Sequence, residues 1–349
     1  MMARKSLILS LASAALLIAG WGTGPAPAQE PFYKSKTIRI IVAFAPGGGF
    51  DTYARSLARH MGKHIAGNPT LIVENMTGAG GLIAANHLYK VAKADGLTLA
   101  TFHGNQILAQ VIGGQGIEFD ARKFEWIGTP GKNHDLCLLS KTSGISSVDQ
   151  WLASKTAVRL GGVAPGSSTD DIPKVLRTAL GLPLRVASGY KGTSEIRLAV
   201  EGGEVFGLCG LSAASAKATW KKQLEVGTVT IVLQNAPQPH PDLPSNIPLA
   251  IKLAKTDEGQ QLINVGIHTP SAITYVYSAP PGTSPERVQI LRRAFLMTTK
   301  DPEFLAEASK ANLEVSAASG EDVEKMVADL FKLEPGVLSK LKEVLGQAN

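Results

Sequence analysis

Four short runs of glycine and small polar residues carry the chemical signal in this sequence. They are Pro46-Gly47-Gly48-Gly49 leading to Asp51, Thr77-Gly78-Ala79-Gly80-Gly81, Pro165-Gly166-Ser167-Ser168-Thr169 and Gly189-Tyr190-Lys191-Gly192-Thr193. Each follows an apolar run and precedes a helical pattern. A strand that turns straight into a helix leaves unpaired backbone N–H groups at the helix start, backed by a dipole worth about half a positive charge. Glycine lets a ligand approach the main chain closely, and successive amides form an anion-binding nest. In open α/β sheets, ligands bind at the carboxyl ends of the strands. One such turn often does no more than cap a helix. Two pairs, one in each half of the chain, can face each other across one cleft. The chemistry implied is capture of an anion.

Other residues fit around these turns. Phe44 leads into the first, and Asp51 reads as a carboxylate capping the first helix, since a second anion would repel an anionic ligand. His103 and Asn105 follow the third strand at the expected cleft edge, where His103 is either a ligand contact or a loop histidine. Phe102 and Tyr190 are either pocket walls or sheet-edge packing. Lys191 is the one cation that the pattern places in a cleft turn, with a solvated loop lysine as the alternative.

Catalytic and cofactor signatures are missing from the sequence. Thr52 stands where a dinucleotide fingerprint needs its third glycine, and no P-loop lysine follows any glycine turn. There is no G-x-S-x-G elbow, and neither cysteine has a recognisable nucleophile context. His60 and His64, four apart on a helix, lack the H-E-x-x-H pattern or cysteine cluster that would make them metal ligands. No enzyme activity, cofactor or metal is expected.

The positioning elements alternate. Ile38 to Phe44 is a continuous apolar run suited to a buried parallel strand. A helix follows with Ala54, Leu57, Ala58, Met61 and Ile65 on one face. Leu71–Val73 and Leu97–Phe102 are further strands, flanking a helix that should bury Ala84, Ala85, Leu88, Val91 and Ala92. A second α/β unit begins after about residue 130, with strands at 158–160, 184–187, 205–209 and 229–233. The proline-rich 237–248 is a loop, 272–279 a last long strand, and 301–311, 321–333 and 335–346 are helices. This is an α/β protein with parallel sheets.

The chain has 349 residues, too many for one comfortable core, so two lobes are expected. Residues 1–28 read as a signal peptide: Arg4-Lys5, an apolar stretch Ser6–Gly20 shorter than the roughly 20 residues a membrane span needs, and Ala26-Pro27-Ala28 before a mature start near Gln29. Without Arg4 and Lys5, the 35 basic residues fall to 33 against 29 acidic, a net charge of +4. The basic residues are scattered, which argues against a nucleic-acid partner. Cys137 and Cys209 both fall in strand-like runs. In an oxidising compartment they can pair, or they can remain two buried thiols.

The first two turns in their context resemble a known family. Ile38–Ile41 followed by Phe44-Ala45-Pro46-Gly47-Gly48-Gly49-Phe50-Asp51 is similar to the strand–glycine-turn signature of the tripartite tricarboxylate transporter receptors, the Bug-type periplasmic binding proteins. Val73-Glu74-Asn75-Met76-Thr77-Gly78-Ala79-Gly80-Gly81 resembles their second turn, with Met76-Thr77 where many members have Arg-Pro. Asp95–Leu99 and Gly203-Glu204-Val205 resemble strand entries, and Gly189-Tyr190-Lys191-Gly192 resembles a Pro-Tyr-Lys-Gly turn. The resemblance implies a type II periplasmic-binding fold with two α/β lobes and a cleft between them. Lobe I would be residues 29–130 plus 273–349 and lobe II residues 131–272. It also implies a monomeric periplasmic receptor that closes on a small mono-, di- or tricarboxylate, aromatic acids included, and passes it to membrane transporter subunits. The ligand carboxylate would be held largely by backbone amides and water of the first two turns. A periplasmic sensor feeding a signalling partner would share this chemistry.

Overall fold

The computed structural model describes residues 30–346. The apolar run Thr37–Val42 forms β1, and it pairs in parallel with β2 (Thr70–Asn75) on one side and β3 (Thr98–Phe102) on the other. β4 (Glu125–Thr129) ends the first stretch of chain. β5 (Asp135–Ser140) opens a second layer with β6 (Val158–Gly161), β7 (Leu184–Ala187), β8 (Gly207–Ser212) and β9 (Val229–Asn235). The chain then returns, and β10 (Val276–Ala279) inserts antiparallel between β3 and β4. The short β11 (Ala318–Ser319) completes the six-stranded order β11-β4-β10-β3-β1-β2.

The second layer repeats this design. β5 lies antiparallel between β8 and β9, and β6 pairs in parallel with β7. Phe206 N–H donates to Arg159 O at 2.8 Å, joining the β6–β7 pair to the β8 edge. In each layer the antiparallel strand inserted between two others, β10 or β5, is the one entered directly after a passage between sheets. Those passages are residues 130–134 and 269–275. They are tied together where Asn133 N donates to Ser271 O (2.8 Å) and Ser271 Oγ to Asp135 Oδ2 (2.5 Å).

Trp126, Trp151 and Trp220 are fully buried, and each layer packs its helices over an aliphatic core. Cys137 and Cys209 are bonded to each other across the β5–β8 pair, 4.0 Å apart at Cα. Among the described residues, no helix is long and apolar enough to cross a membrane. The expected signal peptide and the Gln29 start lie outside the described residues.

Several expected elements differ. The helix Leu82–Lys90 stops one residue short of Val91, which is 66% exposed. The long strand expected at 272–279 is only four residues long, Val276–Ala279. Ala272 instead ends the helical turn Thr269–Ala272, which Pro270 starts as a residue without an N–H can, and residues 273–275 bend into the strand. Ala250–Leu253 and Asp257–Ile263 are helices with no strong sequence signature; the second begins where Thr256 Oγ1 accepts from Gly259 N at 3.1 Å. The terminal helix Pro335–Gly346 packs against Ser168–Leu180 and Asp257–Ile263, on the second layer.

Candidate functional site

The first glycine turn is built by a buried carboxylate. Gly47 has φ 78°, a left-handed conformation that glycine adopts without strain, and the helix Gly49–Met61 starts just beyond it. Asp51 Oδ2 accepts from Gly47 N (3.0 Å) and Arg55 Nε (2.9 Å), while Oδ1 accepts from Asn75 Nδ2 (2.9 Å). Burial pushes its acidity the other way, but these donors outweigh it and hold the carboxyl below its ordinary pKa. Asp51 therefore braces the turn.

Two facing turns use the same device. Lys191 N donates to Glu195 Oε2 (2.9 Å), and Gly166 N to Asp171 Oδ1 (3.0 Å). In each case a first-turn carboxylate takes the N–H that precedes the helix cap. The N–H groups of the first helical residues, which have no intrahelical partner, are left for something else.

Those helix starts converge on a cavity of about 50 Å³. From the first layer it is lined by Phe44, Ala45, Gly48, Gly49 and Phe50. Val163, Ser167–Thr169, Gly192–Thr193, Gly210–Ser212 and Ser215 face them from the second. His103, Asn133 and Tyr275 complete the lining. Pro46, Gly47 and Asp51 form the turn behind it.

Thr77, Gly78, Ala79, Gly80 and Asn105 are not in the lining. Gly80 lies instead where the layers touch, its carbonyl accepting from Gln106 Nε2 (2.8 Å), which also donates to Gly166 O (2.9 Å). Asn105 Nδ2 donates to Asp171 Oδ2 (3.0 Å), another bond between layers. Tyr190 and Lys191 are not in the lining either. The tyrosine hydroxyl donates to Glu204 Oε1 (2.6 Å), and the lysine side chain is exposed. Phe102 packs inside an aromatic cluster with Phe119, Phe124 and Trp126, at centroid distances of 6.4, 5.5 and 5.9 Å.

Sequence reasoning missed a fifth turn of the same kind. β8 runs on through Ser212, whose hydroxyl accepts from Ser215 N (3.0 Å) to cap the helix Ala213–Thr219. Tyr275 OH lies 3.0 Å from Ser212 Oγ and 3.4 Å from Ser215 Oγ. The run Gly210-Leu211-Ser212 after an apolar strand was the available signal.

The electrostatics are unusual for an anion site, because among the described residues no lysine or arginine lines the cavity. His103 is 2% exposed, and burial pushes its pKa from 6.5 to about 3, so it is neutral. Its Nδ1 accepts from Asn105 N (3.2 Å), which leaves the proton on Nε2. That Nε2 has no partner among the described residues. As a donor it cannot serve as the base for a neighbouring serine. Burial likewise pushes the Tyr275 hydroxyl up to about 12. The site offers neutral donors and helix dipoles, which suit binding of an anion.

On the far side of the first layer, His60 Nε2 bonds Glu307 (2.8 Å) and His64 Nε2 bonds Asp301 (2.7 Å). Lys63 also reaches Asp301 (2.8 Å) and Glu303 (2.5 Å), so an ammonium already stands among these carboxylates.

The family model described as "Tripartite tricarboxylate transporter family receptor" matches residues 53–342. The chain belongs to this family. Its members are periplasmic solute-binding proteins, and the two layers are the lobes of a type II periplasmic-binding fold. The "UPF0065 protein in gbd 5′ region" of Cupriavidus necator is 27% identical over 344 residues, 95% of each chain. BugT of Bordetella pertussis is 43% identical over 74 residues, 21% of this chain and 22% of its own.

Among solved structures, the periplasmic binding protein BugD superposes with TM-score 0.72 at 22% identity, covering 89% of this chain and 98% of its own. MatC of Rhodopseudomonas palustris, solved with malate, gives 0.69 at 20%, covering 89% and 99%. A second R. palustris protein, solved with adipate, gives 0.71 at 21%, covering 89% and 97%.

Proposed function

We propose that this family member is exported to the periplasm with its signal peptide removed, closes its two lobes on a small organic acid, and delivers it as a monomer to a tripartite membrane transporter. Lobe I comprises residues 29–130 and 273–349, with the terminal helix strapped over lobe II, residues 131–272. The observation that carries the reading is the convergence of helix starts from both lobes, together with the buried His103, on one cavity lined, among the described residues, by neutral groups. Such a site stabilises an anion through fixed dipoles and excludes a cation, which would find no carboxylate in the lining. The malate and adipate bound to two structural neighbours support a carboxylate. A cavity of about 50 Å³ favours a short acid over an aromatic one.

A thermal-shift screen of the mature chain against mono-, di- and tricarboxylates, sugars and amines tests this. A ligand that binds only the native state raises its melting temperature. At least one short acid should do so in a concentration-dependent way; shifts from sugars or amines alone would overturn the reading.

A further inference from the structure

Two residues of the cavity lining each carry a shielded side-chain atom that has no hydrogen-bond partner among the described residues, and the two atoms are of opposite polarity. One is His103 Nε2, a donor, on a residue that is 2% exposed. The other is Asn133 Oδ1, an acceptor. The orientation of the Asn133 amide is fixed by its nitrogen, which donates to Asp135 Oδ1 at 3.1 Å. Turning the amide over would set two oxygens against each other. The backbone of Asn133 is held as well, its N–H donating to Ser271 O at 2.8 Å, so the residue is anchored to both passages between the lobes.

Shielded polar atoms are costly unless paired, and a ligand that pairs both is favoured over one that leaves either alone. A simple carboxylate presents only acceptors. It satisfies the His103 donor and the helix-start amides, and it leaves the Asn133 oxygen facing another oxygen or a methylene. Resting on the carboxylate reading above, we infer that the cognate ligand is a hydroxy acid, and that Asn133 Oδ1 selects it by accepting from the ligand hydroxyl. A hydroxyl fits better than an ammonium group, because no carboxylate lines the cavity to balance a positive charge. Ser212 and Ser215 do not make the same demand, since each already lies within hydrogen-bond distance of the Tyr275 hydroxyl.

The test is calorimetric titration of the mature full-length chain with acids matched in length, differing in one hydroxyl: glycolate against acetate, lactate against propionate, malate against succinate. In at least one pair the hydroxy acid should bind about tenfold or more tightly, since a site built to bond a hydroxyl rejects the analogue lacking it. In Asn133→Ala that ratio should collapse to about twofold or less, through loss of affinity for the hydroxy acid alone. The wild-type comparison stands even if the variant folds poorly.

Equal affinities within every pair would overturn this inference and leave the carboxylate reading intact. Preference for the corresponding amino acids would do the same. Binding of no acid would overturn both.

Discussion

Gly49 is a position where the two lobes meet too closely to leave room for a side chain. A Cβ built there would fall on the Ser215 hydroxyl of the opposite lobe, well inside contact distance, and 3.2 Å from the Tyr275 hydroxyl. Gly48 is different: its φ is −88°, and an added Cβ would meet nothing nearer than 3.7 Å. Gly49→Ala should therefore act on closure while the helix itself gains a better helix former. Overpacking of this kind costs about 1–3 kcal/mol, which predicts an affinity loss of roughly 5- to 150-fold at room temperature.

The second half of the experiment identifies the cause. Ser215→Ala removes the clashing oxygen, so Gly49→Ala/Ser215→Ala should bind more tightly than the product of the single effects, a coupling that only residues in contact show. Calorimetric titration of wild type, both single variants and the double variant with one acid supplies the cycle. Affinity within twofold of wild type in Gly49→Ala, or strictly additive effects in the double variant, would refute the claim that the lobes meet at this point.

His103 sets a pH signature. Its folded pKa of about 3, against 6.5 unfolded, makes the imidazolium roughly 5 kcal/mol unfavourable in place, at about 1.4 kcal/mol per pH unit. Affinity for an acid that stays ionised should thus be flat from pH 8 to 5 by titration; a rise of about tenfold per unit below pH 6.5 would mean that a charged imidazolium holds the ligand. The same gap costs stability, because below pH 6.5 the unfolded chain takes up a proton that the folded one refuses, so its share is full above 6.5 and lost as pH falls toward 3. His103→Gln should accordingly lose less melting temperature between pH 6 and pH 4 than wild type. The Cys137–Cys209 bond closes a 72-residue separation, and a double alanine variant should lose about 2–4 kcal/mol in guanidinium unfolding. A loss under about 0.5 kcal/mol would show that the cross-link constrains little.

The sequence exposed those parts of the site that depend on backbone geometry. Gly47 and Gly192 could be found because a strand that gives way to a helix after only five or six residues needs small residues at the bend. Such signals do not say which way a neighbouring side chain points. Lys191 and Tyr190 sit beside Gly192, yet the turn spends the Lys191 N–H on Glu195 and leaves both side chains outside the lining. Asn133 and Tyr275 lie on the passages between lobes, where the chain follows no period, so pattern reading absorbed Tyr275 into a strand and gave Asn133 no role. Ser212 was hidden for another reason: β8 extends three residues beyond its apolar core, carrying the hydroxyl past the point where the strand had been expected to end. The alternation of β1, β2 and β3 with helices was legible along the chain, whereas β4 and β11 had not been read as strands. The insertion of β5 and β10 against the grain was not legible, because direction leaves no mark on composition.

Gln106 and Asn105 add a property that the cavity alone does not have. Their side chains join the lobes through Gly166 and Asp171 without belonging to the cavity lining. Bonds of this kind contribute about 0.5–1.5 kcal/mol each to the closed form, whichever acid is inside. They multiply every affinity by one common factor and leave the ranking among acids unchanged. On the proposed function, strength of grip and choice of cargo rest on separate residues, and substitutions at 105 and 106 should retune affinity for scarcer or richer surroundings without altering which acid is preferred.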